Sequence, residues 1–389
     1  MIKTFYEGGM GLTSEKQSVV FDFGVRFTKA GFAGEAAPRC IVRTEVRCSR
    51  SGQMRKVFDA LNSDEQYDLL VDFIHNLYFR HLLVSPKDRR VVVVESVLCP
   101  TAIREMLAKV LFMHFEVSSL LFVPSHVVAL STLGVNTALV VDMGAVETVV
   151  IPVHEGVAVL HAWQAQPLAA NAVESQIKEM LSEREKSKPS EGFANLTEAN
   201  IEDIKVRACF VTTLQRTLKA EEGKPCPSPP SVKYLVGPDS HILNISGDIR
   251  ENSFNVLFQQ DADQISVSTM ILDAIIKCPI DMRKPLAENI LLIGGTSMAI
   301  GMGARIKEEL EFLSASPQYS ERLKIRSFQF HSPPAKGNYT AWLGGAIYGA
   351  TDFVTIKSLS KEAYLRERKV PDWVSLIHNT YNAGTKRSV

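Results

Sequence analysis

Two stretches decide how this chain folds. The first is Ser18-Val-Val-Phe-Asp22-Phe-Gly24-Val-Arg26-Phe-Thr-Lys29. The second is Ala138-Leu-Val-Val-Asp142-Met-Gly144-Ala-Val146-Glu147-Thr-Val149-Val-Ile-Pro152. Each is a short apolar strand, an Asp-x-Gly turn and a second apolar strand, which is the pattern of a β-hairpin. Two such hairpins facing each other grip a nucleotide's phosphates from both sides. Their Asp side chains suit a hydrated Mg²⁺, an ion that keeps its waters and takes few carboxylates. The turns need Gly and small hydroxyl residues so that backbone N–H groups reach the phosphates. Val25, Arg26, Ala145 and Val146 stand where that approach is needed. The scaffold is legible, and its loops are damaged.

The remaining chain sets the frame. Its 389 residues call for two or more domains around more than one core. It is 46% hydrophobic and 22% charged, with 43 basic and 43 acidic residues, so no net charge draws it to nucleic acid or acidic lipid. Met1 to Gln17 is polar and Gly-rich with no apolar signal core, and no apolar run reaches membrane-spanning length. Six scattered cysteines without C-x-x-C spacing fit reduced thiols rather than a disulfide framework or a zinc site.

Strands and helices alternate, which argues α/β. Arg90-Val-Val-Val-Val94 has no polar face and reads as a buried strand. Leu69, Leu70, Phe73, Ile74, Leu77 and Tyr78 recur at helical spacing behind a predicted N-cap at Ser63. Ile103, Met106, Leu107, Val110 and Leu111 mark a second amphipathic helix. Residues 43–62 form a polar connector or small subdomain, and 182–199 read as a charged loop. Residues 222–232, with four prolines, read as an exposed extended segment rather than an SH3-type ligand. His75, His81, His114 and His126 lie among apolar residues at helical positions and read as structural histidines rather than catalytic bases.

A third glycine site closes the pattern. In Asn289-Ile-Leu-Leu-Ile293-Gly294-Gly295-Thr296-Ser297-Met298 a buried strand ends in Gly-Gly and a helix is expected to follow. Such a turn lets backbone approach a nucleotide, and a helix N-terminus favours an anion.

With two Asp-x-Gly hairpins upstream in this order, the chain resembles the actin family over almost its whole length. Lys29-Ala-Gly-Phe-Ala-Gly34-Glu-Ala-Ala-Pro-Arg39, Val153-His-Glu155-Gly156, Lys277-Cys278-Pro-Ile-Asp281-Met-Arg283-Lys284 and Trp342-Leu-Gly344-Gly345 carry the resemblance. It implies an α/β, actin-like two-lobed fold of the actin/Hsp70/sugar-kinase superfamily, with four subdomains around a central cleft. The large subdomain of lobe one would comprise 1–43, 64–132 and 340–389, with 44–63 a reduced small subdomain. Lobe two would comprise 133–168 with 263–339, and 169–262 as its small subdomain. Within the family, Tyr78-Phe-Arg-His81 through Arg90, Glu95-Ser-Val-Leu-Cys99-Pro100, Ser332-Pro-Pro334-Ala-Lys336 and Val370-Pro371-Asp372-Trp373 resemble a divergent actin-related branch of the dynactin pointed end.

The resemblance also locates the departures. Ser125 stands where the family has the Gln, and Val149 where it has the His, that position the attacking water. Phosphoryl transfer depends on such positioning, so hydrolysis is not expected and no catalytic residue is assigned. Retained cofactor positions are Asp22, Gly24, Lys29, Asp142, Gly144, Lys205, Gly294, Gly295, Thr296 and Met298. The implied cofactor is ATP or ADP with Mg²⁺, bound structurally, with Asp22 and Asp142 reaching the metal through waters. Val206 replaces the Glu that holds the ribose, and Glu202 an Arg near the base. The surviving Asp and Gly residues therefore either hold a nucleotide or merely keep the turns, and both readings stay open.

Assembly follows from the same alignment of motifs. The stretch from Pro38 to Asp64 is far shorter than in actins, leaving little room for the loop that family members insert into a neighbour. Leu133, Gly134, Val157, Tyr348 and Phe353 correspond to the groove on the opposite, barbed side. Leu130, beside them, reads as core. This combination implies a non-catalytic pointed-end cap of the dynactin minifilament in the cytoplasm and cytoskeleton. Its partners would be actin-related filament subunits and other pointed-end subunits, with no nucleic acid and no membrane insertion. Alternatives are a kinase or ATPase on the same fold, and a nuclear actin-related subunit of a chromatin remodeller.

Overall fold

The computed structural model describes residues 16–187, 191–237 and 241–371. Pro189 and the motif from Asp372 onward lie outside them. The chain divides into two compact units. The first runs through Phe23, takes Phe27–Pro124 and resumes at Gly345. The second takes Gly24–Arg26 and Ser125–Gly344.

The first unit is built on a six-stranded mixed sheet. Its order is Leu359–Ser360, Ser119–Pro124, Arg90–Glu95, Val19–Phe23, Phe27–Phe32, Cys40–Arg43. The three central strands are parallel, and the hairpin Val19–Phe23/Phe27–Phe32 is antiparallel. Alternation of side chains sends Val19, Phe21, Val91, Val93, Leu120 and Phe122 to one face, where they join Leu69, Leu70, Phe73 and Ile74 of the helix Ser63–Asn76. The opposite face receives the chain after Gly345. A Cβ at Gly345 would lie 2.4 Å from Val94 Cγ2, so only glycine lets that helix sit against the strand. Burial on both faces explains why Arg90–Glu95 carries four consecutive valines.

Beside this sheet, Glu45–Arg47 and Met54–Lys56 form a small antiparallel hairpin. Its tip is closed on itself, with Gly52 N–H donating to Cys48 O and Cys48 N–H to Gln53 O. The 43–62 stretch is thus a short hairpin with turns on either side.

The second unit repeats the plan. Strands Val157–Ala158, Thr148–His154, Ala138–Met143 and Ile290–Ile293 lie in that order, with Gln164–Gln166 also on Thr148–His154. The two Asp-x-Gly hairpins occupy matching registers. Asp22 pairs antiparallel with Lys29 and parallel with Val94, while Asp142 pairs antiparallel with Val149 and parallel with Ile293. Leu139, Val141, Met143 and Val150 form the second core with Ile271, Ile275, Ile306 and Leu310 of two long helices.

Several boundaries differ from expectation. The N-cap before the Ser63–Asn76 helix is Asn62, whose side chain accepts the Glu65 N–H, so Ser63 is already helical. That helix continues as a wider π-helical turn, Leu77–Leu82, closed by Leu83 in the left-handed region. The 182–199 stretch is not one loop: the helix from Ala170 runs to Ser187, a second begins at Glu191, and a third at Glu198 behind a Thr197–Asn200 capping box. Glu183, Arg184, Glu185 and Lys186 are good helix formers, and their charge alone does not break the helix. The proline-rich stretch is not extended from its start: Glu222 and Gly223 form a turn that closes the helix Leu214–Glu221, residues 224–231 carry no regular element, and Val232 already begins a strand. Pro229 lies so close to Gly247 that a Cβ there would meet its carbonyl oxygen at 1.7 Å. Of the four helical histidines only His126 is buried, and His75, His81 and His114 face solvent. The six cysteines are free thiols.

Candidate functional site

The first hairpin positions Asp22 and Lys29 directly across from each other. Lys29 Nζ sits 3.0 Å from Asp22 Oδ2, with both side chains mostly buried. The lysine's charge is therefore spent on the aspartate, and Asp22 is held by an ammonium.

The turn of that hairpin, Gly24–Arg26, belongs to the second unit. Val25 is 49% exposed at its tip. Arg26 makes a bidentate pair with Glu174, Nη1 to Oε1 and Nη2 to Oε2 at 2.5 Å each, and Nη2 also donates to Asn171 Oδ1 at 2.5 Å. Lys205 Nζ reaches the same Glu174 Oε1 at 2.6 Å. Glu202 Oε1 stands 4.0 Å from Arg26 Nη1. Burial alone would push the Glu174 carboxyl up. Hydrogen bonds from Arg26 and Lys205, with their charges, outweigh that and hold it below its ordinary range.

The second hairpin turn is likewise closed from within. Gly144 N–H donates to Glu147 O at 3.0 Å, and Thr296 Oγ1 donates to Gly144 O at 2.7 Å. The first N–H groups of the helix Ala170–Ser187 are also taken: Ala170 donates to Gly144 O and Asn171 to Ala145 O. Burial pushes the Glu147 carboxyl up. Val149 is packed in its strand, and Ser125 is buried at the start of the helix Ser125–Ser131, so neither presents a long polar side chain.

The third glycine site follows the strand Ile290–Ile293. Gly294 has φ +88° and lies over the second hairpin; a Cβ would be 2.3 Å from Met143 O and 2.7 Å from Asp142 Oδ1. That clash is why the strand must end in glycine. Gly295 faces open space and Met298 is 45% exposed. A helix does not begin at once: Thr296–Met298 is a single 3₁₀ turn, and the long helix starts at Met302 behind Gly301.

The second unit therefore brings together Asp142, Gly144, Gly294 and Thr296, and separately Lys205 with Arg26. Val206 points outward at 69% exposure, and Glu202 turns toward Arg26. Glu174 and Asn171 were not singled out in the sequence. They stand 148 and 145 residues from Arg26, and no local spacing announces such a pair.

The residues expected from the resemblance to meet a filament neighbour fall on both units. Leu133 is half-buried, Gly134 is exposed with φ +67°, and Val157 is exposed. Gly134 also lines a shallow depression of about 510 Å³ with Val135, Asn136, Thr137 and Asn289. On the first unit Tyr348 and Phe353 meet edge to face, centroids 5.3 Å apart. Leu130 is core.

The family model for actin matches residues 13–374. The chain belongs to the actin family. This actin-family chain is also similar to the Actin-related protein 10 of Dictyostelium discoideum, 26% identical over 440 aligned residues covering 94% of this chain and 91% of that one. The family binds nucleotide with Mg²⁺. In this member the fit is poor. Within the second unit, Arg26 and Lys205 both already carry the Glu174 carboxylate, and the Gly144 N–H and Thr296 hydroxyl close on neighbouring carbonyls.

Proposed function

We propose that this chain is a non-catalytic actin-related subunit. It caps the pointed end of the dynactin minifilament and docks other pointed-end subunits, in support of dynein-driven microtubule transport in the cytoplasm. The observation that carries the reading is the small hairpin Glu45–Arg47/Met54–Lys56. Its tip of a few residues is tied down by Cys48, Gly52 and Gln53, so it has no length to insert into a neighbour. Similarity to the Dictyostelium Actin-related protein 10 supports the placement within the family. Leu133, Gly134 and Val157 on one unit and Tyr348 with Phe353 on the other would receive the filament; their apolar atoms are exposed or half-buried in the isolated chain. The four-subdomain division, with 44–63 as the reduced one, belongs to the same reading.

The test is elongation of actin-like filament seeds with the full chain added. Growth at the pointed end should stop, and the chain alone should form no filament. Self-elongation of the purified chain overturns the proposal. Affinity purification separates it from a chromatin role, because dynactin and remodeller subunits differ completely. Ala145 and Val146 leave the second turn without the carboxylate a kinase of this fold needs.

A further inference from the structure

The cluster around Glu174 is a complete anion site that holds an anion of its own. Arg26 offers a planar fork that takes both oxygens of the Glu174 carboxylate at 2.5 Å, and Lys205 an ammonium 2.6 Å from Oε1 of the same group. A fork plus a point charge is the donor set that phosphate takes. The Arg26, Glu174 and Lys205 side chains are 25%, 13% and 12% exposed, so the cluster is partly shielded from water. Asn171 Oδ1 accepts a further hydrogen bond from Arg26 Nη2, and Glu202 stands within long ionic range. All five residues lie in the second unit. A Glu in a helix has no local need for two cations, and arginine in a turn that otherwise suits glycine has no local advantage. Each makes sense only as the partner of the other.

We propose that Glu174 is an internal substitute for a phosphate group: it fills the Arg26–Lys205 cradle and keeps it closed to polyphosphate ligands. The chain would then hold this part of its second unit by a covalently attached anion, with no nucleotide required. Removing the carboxylate should uncover a site for a diphosphate. This inference is independent of filament capping and survives if that reading fails.

The experiment titrates inorganic pyrophosphate, Mg-ADP and adenosine separately into the purified full-length chain, by calorimetry and thermal shift. The wild type should carry no extractable nucleotide and bind none of the three. Glu174→Ala should bind pyrophosphate and Mg-ADP at least about tenfold more tightly than the wild type and still ignore adenosine. Glu174→Gln, which keeps the shape and loses the charge, gives the same comparison should the alanine variant not fold. Adding Arg26→Ala to either variant should abolish the gain. Nucleotide recovered from the wild type, no gain in both Glu174 variants, or a gain that persists without Arg26 overturns the proposal. None of these outcomes bears on whether the chain stops filament growth.

Discussion

Arg26 and Glu174 lie 148 residues apart in sequence and meet as a fork on a carboxylate, each guanidinium nitrogen 2.5 Å from its oxygen. Charged hydrogen bonds in a mostly buried setting are worth more than exposed ion pairs. A double-mutant cycle of Arg26→Ala and Glu174→Ala should give a coupling of about 1–3 kcal/mol in urea unfolding. Its pH dependence follows from the lowered Glu174 pKa. The unfolded carboxyl titrates near 4.5 and the folded one below it, so the coupling is complete above the unfolded value. It should fade as pH falls through the folded value. A coupling that stays constant in acid argues against this origin.

Hydrolysis should be absent for two separate reasons. On the proposed reading Ser125 and Val149 stand in the place of the water-positioning pair with a short hydroxyl and an alkyl group, and the cradle cations are paired with Glu174. Restoring only the first, as Ser125→Gln with Val149→His, should leave phosphate release at the background of buffer. A rise of about tenfold would show that the water-positioning pair alone was limiting.

The hairpins, the parallel valine strand and the glycine turn were legible because each is a local pattern. Period-two burial, an Asp-x-Gly turn and an unavoidable positive φ at Gly294 all leave marks within ten residues. The departures at Val25, Ala145 and Val146 were legible for the same reason. The replacement for the lost chemistry was not. Glu174 is an ordinary helix residue until the fold brings it to Arg26. Helix ends were read less well, because charged stretches such as Ser182–Ser187 look like loops by composition while their residues favour helix.

His126 gives the fold an acid-sensitive point. Burial pushes its imidazole down to about 4 from an ordinary 6.5, and Nδ1 has no hydrogen-bond partner among the described residues. The folded state excludes the proton that the unfolded chain binds. Stability from this group is therefore full above pH 6.5 and lost as pH falls toward 4, by about 3 kcal/mol in total. Comparing wild type with His126→Phe by urea unfolding at several pH values should isolate that slope. Parallel curves for the two proteins would refute it.

In the first unit, Arg104 Nε lies 2.8 Å from Glu95 Oε2, and Arg104 Nη2 donates to Pro371 O at 2.8 Å. Both charged side chains are at most 7% exposed. Removing one partner strands a buried charge, so Glu95→Ala should cost about 3–5 kcal/mol. Replacing both with methionine should cost much less, since no charge is left behind. Equal losses in the single and double variants would mean that packing, not charge, is what the pair supplies.

Gly294 is the position where the least chemical change should do the most harm. Its φ of +88° is strained for any L side chain, and an added methyl would sit 2.3 Å from Met143 O. Backbone cannot yield as a flexible side chain can, because Met143 is held in the sheet opposite Thr148. Backbone strain alone is worth about 1–3 kcal/mol, and the clash adds to it. Gly294→Ala should therefore lower stability by more than about 2 kcal/mol. Gly295→Ala, one residue on and facing open space, should change it by less than about 1 kcal/mol. Thermal unfolding of the two variants side by side decides the matter, and similar losses at both sites would contradict the assignment of Gly294 as the strand's obligatory stop.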